Sequence, residues 1–178
     1  VAIPQNSCTV EAAKSSPIIS PKKPMTVCIA LYQPDIPGNT GTILRMAACF
    51  DLEVHIIEPA GFDLSDRALQ RAGMDYLEMA AVRRHIKWER FVSFCVAHKR
   101  RIVLHSTKAE IAYTDFSYDS ADMLLFGRES GGVPDEVHKR ADARLIIPMR
   151  PERRSLNLAL AAAMAAGEAM RQTAAMRP

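Results

Sequence analysis

A chain of 178 residues with 48% hydrophobic side chains holds enough apolar material for one core, and its length suits one domain. The net charge of +3 permits a polyanionic partner without demanding one, and no apolar run reaches the roughly 18 residues of a membrane span. Cys8, Cys28, Cys49 and Cys95 form no C-x-x-C pair, which argues against a zinc site or disulfide framework and fits a reducing cytoplasm.

Residues 1–24 are rich in Ser, Pro and Lys, include Pro17, Pro21 and Pro24, and have no apolar period. They read as a disordered extension ahead of one domain over 25–178, with Met25 as its expected start and no secretory leader. The pattern then alternates: strand Val27–Tyr32, helix Gly38–Phe50, strand Glu53–Ile57, short helix Leu64–Arg71, a strand over Tyr76–Ala81 and helix Trp88–His98. Strands at Arg101–His105, Met123–Phe126 and Arg144–Ile147 follow, and a helix from Leu156 to Gln172 closes the chain. Short β-rich runs separated by helical periods predict an α/β fold, a mostly parallel sheet with helices on both faces.

Cys28, Cys49 and Cys95 lie in apolar segments and read as small buried hydrophobes. The basic clusters Arg83-Arg84 and Lys99-Arg100-Arg101 read as solvated helix ends. Of the histidines, His55, His85, His98 and His138 are expected at the surface, whereas His105 ends a strand at the edge of a candidate pocket. None has metal-ligand spacing, so no metal is expected. In the closing helix Leu156, Leu160, Met164 and Gly167 recur at helical spacing among seven alanines between Ala159 and Ala169. Such a small-residue surface suits either packing on the chain's own sheet or a tight helix contact in a dimer.

Three loops carry the chemistry. Gln33-Pro-Asp-Ile-Pro-Gly-Asn39-Thr-Gly41 follows the first strand and opens a helix, on which Arg45 stands about one and two-thirds turns beyond Asn39. Asn39 or Thr40 in this position also suits a plain helix cap. The apolar run Leu124–Phe126 breaks into Gly127-Arg-Glu129-Ser-Gly-Gly-Val-Pro134, where glycines after a buried strand allow close backbone approach. The run Leu145-Ile-Ile147-Pro-Met spills into Arg150-Pro-Glu-Arg153-Arg-Ser155-Leu156-Asn157. Strand ends that open into such loops suggest one pocket at the carboxyl edge of the sheet. No G-x-G-x-x-G, P-loop, G-x-S-x-G or H-E-x-x-H sequence occurs.

Taken in order, these loops resemble the three motifs of the SpoU branch of the SPOUT RNA 2′-O-methyltransferases, over about Val27 to Gln172. Ile56–Phe62 and Arg71–Tyr76 are more specifically similar to the minimal, TrmL-like members that modify the tRNA wobble nucleotide. The chain's brevity agrees, since larger relatives add an RNA-binding domain. The resemblance implies a sheet with a C-terminal deep trefoil knot, an exception to the no-knot rule, and a homodimer acting on tRNA. It implies S-adenosylmethionine as cofactor, contacted at His105, Gly127, Ile147, Ser155 and Leu156, many of these contacts being backbone groups. His105 departs from the apolar residue expected there.

The resemblance assigns Arg45 to activating the 2′-hydroxyl. An arginine whose ordinary pKa exceeds about 12 makes a poor base, so stabilising the developing alkoxide is the other option. Asn39 and Glu129 would orient Arg45 and the substrate, and Ser155 and Asn157 would close the pocket. Ser155 also suits a cap of the last helix. Arg67, Arg71, Arg150 and Arg153 would neutralise tRNA phosphates. Competing readings are the same transfer on rRNA or at another tRNA position, and an RNA-binding member without catalysis.

Overall fold

The structure, a computed structural model, describes residues 25–64, 80–153 and 155–173. The segment 1–24, most of the helix expected over Leu64–Arg71, and Arg67, Arg71 and Arg154 lie outside the described residues.

Seven strands form one sheet in which every pairing is parallel: β1 (Cys28–Tyr32), β2 (Glu53–Ile57), β3 (Ala81–His85), β4 (Arg101–His105), β5 (Ile111–Ala112), β6 (Asp122–Phe126) and β7 (Ala143–Ile146). Their spatial order is β3-β2-β1-β6-β4-β7-β5. Among the described residues four helices accompany the sheet: α1 (Pro37–Cys49), α2 (Trp88–Ala97), α3 (Asp135–Arg140) and α4 (Leu158–Gln172).

β1 and β6 are buried at every position because both faces of the sheet are covered. Alternate residues feed two cores. Ile29, Leu31, Val103, Leu124 and Phe126 pack with α1 and α4, while Cys28, Ala30, Leu104 and Leu125 pack with Phe91 and Cys95 of α2 and Val137 of α3. α1 opens with Pro37 in its first turn, where the missing N–H costs nothing.

The chain runs outward from β1 through β2 to β3, then returns to lay β4 and β6 on the other side of β1. The strand order therefore reverses beside β1, and such a switch point leaves a crevice outside the carboxyl ends of the strands.

Several expectations need correction. Residues 76–79 of the strand expected over Tyr76–Ala81 lie outside the described residues; the sequence reading did not foresee β3, an edge strand at Ala81–His85. Its Arg83 and Arg84 are not helix ends but pair across the sheet with Glu53 and Glu58, each at 2.8 Å. Arg101 is likewise held, by two bonds of 2.6 and 2.8 Å to the fully buried Asp122. Cys49 is exposed at the end of α1, unlike Cys28 and Cys95.

His55 and His85 are buried, not superficial. Their ring nitrogens meet at 2.8 Å, and both rings pack on Phe91 and Phe94. Folding also brings Cys28, Glu53 and His55 together, one ligand atom of each lying within 4.8 Å of the others, which the sequence spacing did not foresee. Glu53 is already engaged by Arg83, and burial, then His85, Arg83 and Arg100, disfavour added positive charge on His55.

The alanine face of α4 turns inward: Ala162, Ala165, Ala166 and Ala169 are fully buried against α1 and the sheet. Leu160 and Met164, on the stripe expected either to pack on the chain's own sheet or to meet a partner, are exposed at 59% and 41% and so do not pack on the sheet. Among the described residues no helix is long and apolar enough to cross a membrane.

Candidate active site

The crevice at the switch point encloses about 520 Å³, inside the range of roughly 300–1,000 Å³ typical of small-molecule sites. The ends of β4 and β6 and the segment after β7 form its base, through Leu104, His105, Phe126 and Ile147. Its walls are the three loops singled out in the sequence.

Of the expected catalytic residues, Asn39, Glu129, Ser155 and Asn157 line this cavity; of the expected cofactor contacts, His105, Gly127, Ile147, Ser155 and Leu156 do. Arg45 is exposed on α1 and is not among the lining residues. Arg150 and Arg153 are exposed on the third loop and are not among the lining residues. Lys108, Arg128 and His138 also line the cavity and were missed. The signal for Lys108 was available, since it stands three residues beyond the β4 end already placed there.

A chain of side-chain hydrogen bonds links the three loops. Asn157 Nδ2 donates to Asn39 Oδ1 at 2.8 Å, and Asn39 Nδ2 donates to Glu129 Oε1 at 3.0 Å. Glu129 Oε2 accepts from the backbone N–H of Asp35 at 2.8 Å. Neither helix-cap expectation holds. Asn39 lies inside α1, whose N-cap is Ile36, and Asn157 rather than Ser155 caps α4, accepting from the N–H groups of Ala159 and Leu160 at 2.9 and 3.3 Å.

The second loop is pinched at its neck. Arg128 N–H donates to Gly132 O at 2.9 Å and Gly132 N–H returns to Arg128 O at 2.8 Å. A Cβ on Gly127 would sit 2.6 Å from the carbonyl carbon of Gly132, and Gly132 itself has φ +65°. Both positions therefore require glycine.

His105 explains its own departure from an apolar type. Burial lowers its pKa to about 4, so at neutral pH the ring is uncharged and stacks on Phe126 with centroids 4.8 Å apart and planes inclined by 16°. His138, at the rim, is also lowered, first by burial and then by the charge of Lys108. Lys108, Arg128 and Glu129 also line the cavity, and Arg128 is paired with Asp35 at 3.4 Å.

The comparisons with known proteins agree with this geometry. The model of the SpoU rRNA Methylase family matches residues 26–167. A tRNA (cytidine(34)-2′-O)-methyltransferase of Beijerinckia indica subsp. indica is 57% identical over 148 residues, covering 83% of this chain and 92% of the relative. The protein of the same name in Escherichia coli strain K12 is 40% identical over 146 residues, covering 81% and 92%. A solved structure described as "Structural insights into the 2-OH methylation of C/U34 on tRNA" aligns with a TM-score of 0.77 at 40% identity, over 84% of this chain and 97% of the other. An AdoMet-bound rRNA methyltransferase from Sinorhizobium meliloti aligns with a TM-score of 0.74 at 28% identity, over 82% and 56%. With a match that spans all three loops and the sheet that carries them, this chain belongs to the SpoU rRNA methylase family.

Proposed function

We propose that the chain is an S-adenosylmethionine-dependent tRNA 2′-O-methyltransferase that modifies the ribose of the wobble nucleotide, position 34. The observation that carries this reading is the hydrogen-bonded chain Asn157–Asn39–Glu129 at the mouth of the switch-point cavity. It gathers one residue from each of three loops far apart in sequence. The choice of substrate rests on the relatives named for cytidine 34, which this chain covers over more than nine-tenths of their length.

The cavity fits the cofactor. Leu104, Phe126, Ile147 and Leu156 offer apolar surface for flat rings, and the glycine-bearing second loop offers backbone at close range. When bound, S-adenosylmethionine supplies an electrophilic methyl on a sulfonium. The chain's own residues then have three tasks. Glu129 and Asn157 hold the Asn39 carboxamide in one orientation. Arg45, on the exposed side of α1 in the same helix as Asn39, serves the substrate rather than the cofactor, either taking the 2′-hydroxyl proton or stabilising the alkoxide as it forms. Arg150 and Arg153, with Arg67 and Arg71, neutralise phosphates of the RNA. The family's homodimer and trefoil knot belong to the same proposal.

Incubation with methyl-labelled cofactor and total tRNA or rRNA, followed by mapping of the methylated ribose, tests the reading. Label at position 34 of tRNA is expected. Label confined to rRNA or to another tRNA position moves the substrate, and absence of transfer despite RNA binding favours the non-catalytic alternative.

A further inference from the structure

The first loop carries an acid that none of these roles uses. Asp35 Oδ2 accepts from the backbone N–H of Ser130 at 3.0 Å and also from the Ser130 hydroxyl. Arg128 Nη2 reaches Asp35 Oδ1 at 3.4 Å, and the Asp35 backbone N–H donates to Glu129 Oε2 at 2.8 Å. One residue of the first loop therefore holds three consecutive residues of the second.

Asp35 is itself fixed from behind. Gly61, in the loop after β2, donates its N–H to Pro34 O at 2.8 Å, and a Cβ on Gly61 would lie 3.0 Å from Asp35 Cα. The second loop, by contrast, has little else to fix its tip. Among the described residues, Glu129, Ser130 and Gly131 make no backbone–backbone hydrogen bond, since the pinch at the neck joins only Arg128 and Gly132. Ser130 is anchored through the Asp35 side chain, while Glu129 is held through its own carboxylate by Asn39 and the Asp35 backbone N–H.

We propose that Asp35 is a positioning residue which sets the shape of the second loop and, through Glu129, the orientation of the Asn39 and Asn157 carboxamides beside the cofactor cavity. The inference rests on the methyltransferase reading above. A surface ion pair alone is worth little, roughly 0–1 kcal/mol, so the Arg128 contact does not carry it. What carries it is the pair of donors from Ser130 to one carboxylate oxygen, a charge-assisted arrangement that fixes both distance and direction. The Ser130 hydroxyl is also the main cause that holds the Asp35 carboxyl below its ordinary range, so the acceptor is ionised at neutral pH.

The test compares the full-length parent with Asp35→Asn, Ser130→Ala and the double variant. Calorimetry with S-adenosylhomocysteine gives affinity, single-turnover methyl transfer at saturating cofactor and tRNA gives the rate per folded enzyme, and thermal melts report folding. Asp35→Asn keeps the shape of the side chain but turns one acceptor into a donor. It is expected to weaken S-adenosylhomocysteine binding about fivefold to tenfold and to slow the saturated rate by at least about tenfold, because misplacing a positioned group is costly. Ser130→Ala should show a fraction of both losses, and adding it to Asp35→Asn should cost nothing further, since the two act through one contact. A purely structural role would lower the melting temperature and leave the saturated rate unchanged, and that result overturns the proposal. So do single-variant losses that multiply independently in the double variant. Should Asp35→Asn fail to fold, Ser130→Ala alone decides: a parental rate and affinity overturn the proposal. A parent that binds no S-adenosylhomocysteine overturns the methyltransferase reading itself, whereas a parent that binds it and variants that match it overturn only the role of Asp35.

Discussion

Asn157 donates to Asn39 across 118 positions of sequence, and the same Asn157 side chain caps α4 with its other polar atom. One carboxamide thus caps the start of one helix and joins it to the first turn of another. The two tasks separate by substitution. Asn157→Asp keeps the capping oxygen, so stability should stay within about 0.5 kcal/mol of the parent, but it loses the donor to Asn39. Its single-turnover rate should fall at least about tenfold. Asn157→Ala loses both and should also cost about 0.5–2 kcal/mol in a urea titration. An Asn157→Asp variant with parental rate would remove the amide link from catalysis.

Arg45 stands apart from the cavity lining, which fits a residue that touches substrate and not cofactor. Arg45→Ala should therefore leave S-adenosylhomocysteine affinity unchanged while lowering the single-turnover rate by about 10²–10³. Arg45→Lys should recover only part, because an ammonium lacks the planar fork. A rate within about threefold of the parent would exclude Arg45 from the mechanism.

Acid should destabilise the fold through its buried imidazoles. Burial, followed by the charge of His85, pushes His55 down to about 3; burial lowers His85 as well, and His105 to about 4. In the unfolded chain each imidazole takes up a proton near pH 6.5, which the folded protein refuses. Stability is thus fully present above about pH 6.5 and is lost as pH falls toward 3–4, by at most about 1.4 kcal/mol per pH unit for each group. Urea titrations of the parent and of His55→Leu across this window should diverge, with the variant showing the flatter acid limb. Parallel limbs would mean that His55 is protonated in the fold.

The exposed side of α4 bears on assembly. Leu160 and Met164 present apolar surface at 59% and 41% exposure, with Leu156 at 37% nearby. If a partner's helices cover this face, light scattering should report a dimer for the parent and a monomer for Leu160→Glu. A monomeric parent at micromolar concentration would end the dimer proposal.

The sequence made some layers of this molecule easy to read and hid others. β1, β4 and β6 were legible because strands buried on both faces become unbroken apolar runs. β3 was not foreseen because an edge strand carrying Arg83, Arg84 and His85 looks like surface, and α3, at six residues, is too short for a period. All three cavity loops were legible from their glycines, prolines and position after strands. Their mutual contacts were not. That Asp35 would meet Ser130, or Arg101 the buried Asp122, depends on which strand lies beside which, and composition carries no trace of it. The histidines show the same limit: an imidazole reads as polar until a neighbour such as His85 or Phe126 makes burial cheap.

Alanine packing under α4 has a mechanical consequence. α1 and α4 begin at the same edge of the sheet, joined there by the 2.8 Å bond between Asn39 and Asn157. In the core that α4 shares with α1 and the sheet, it contributes only bare methyl groups at Ala162, Ala165, Ala166 and Ala169, all fully buried. A valine at any of these positions would act as a wedge, costing about 1–3 kcal/mol of overpacking. The strain would be felt at the amino ends of the two helices, so the width of an inert interface becomes a setting of the reactive one.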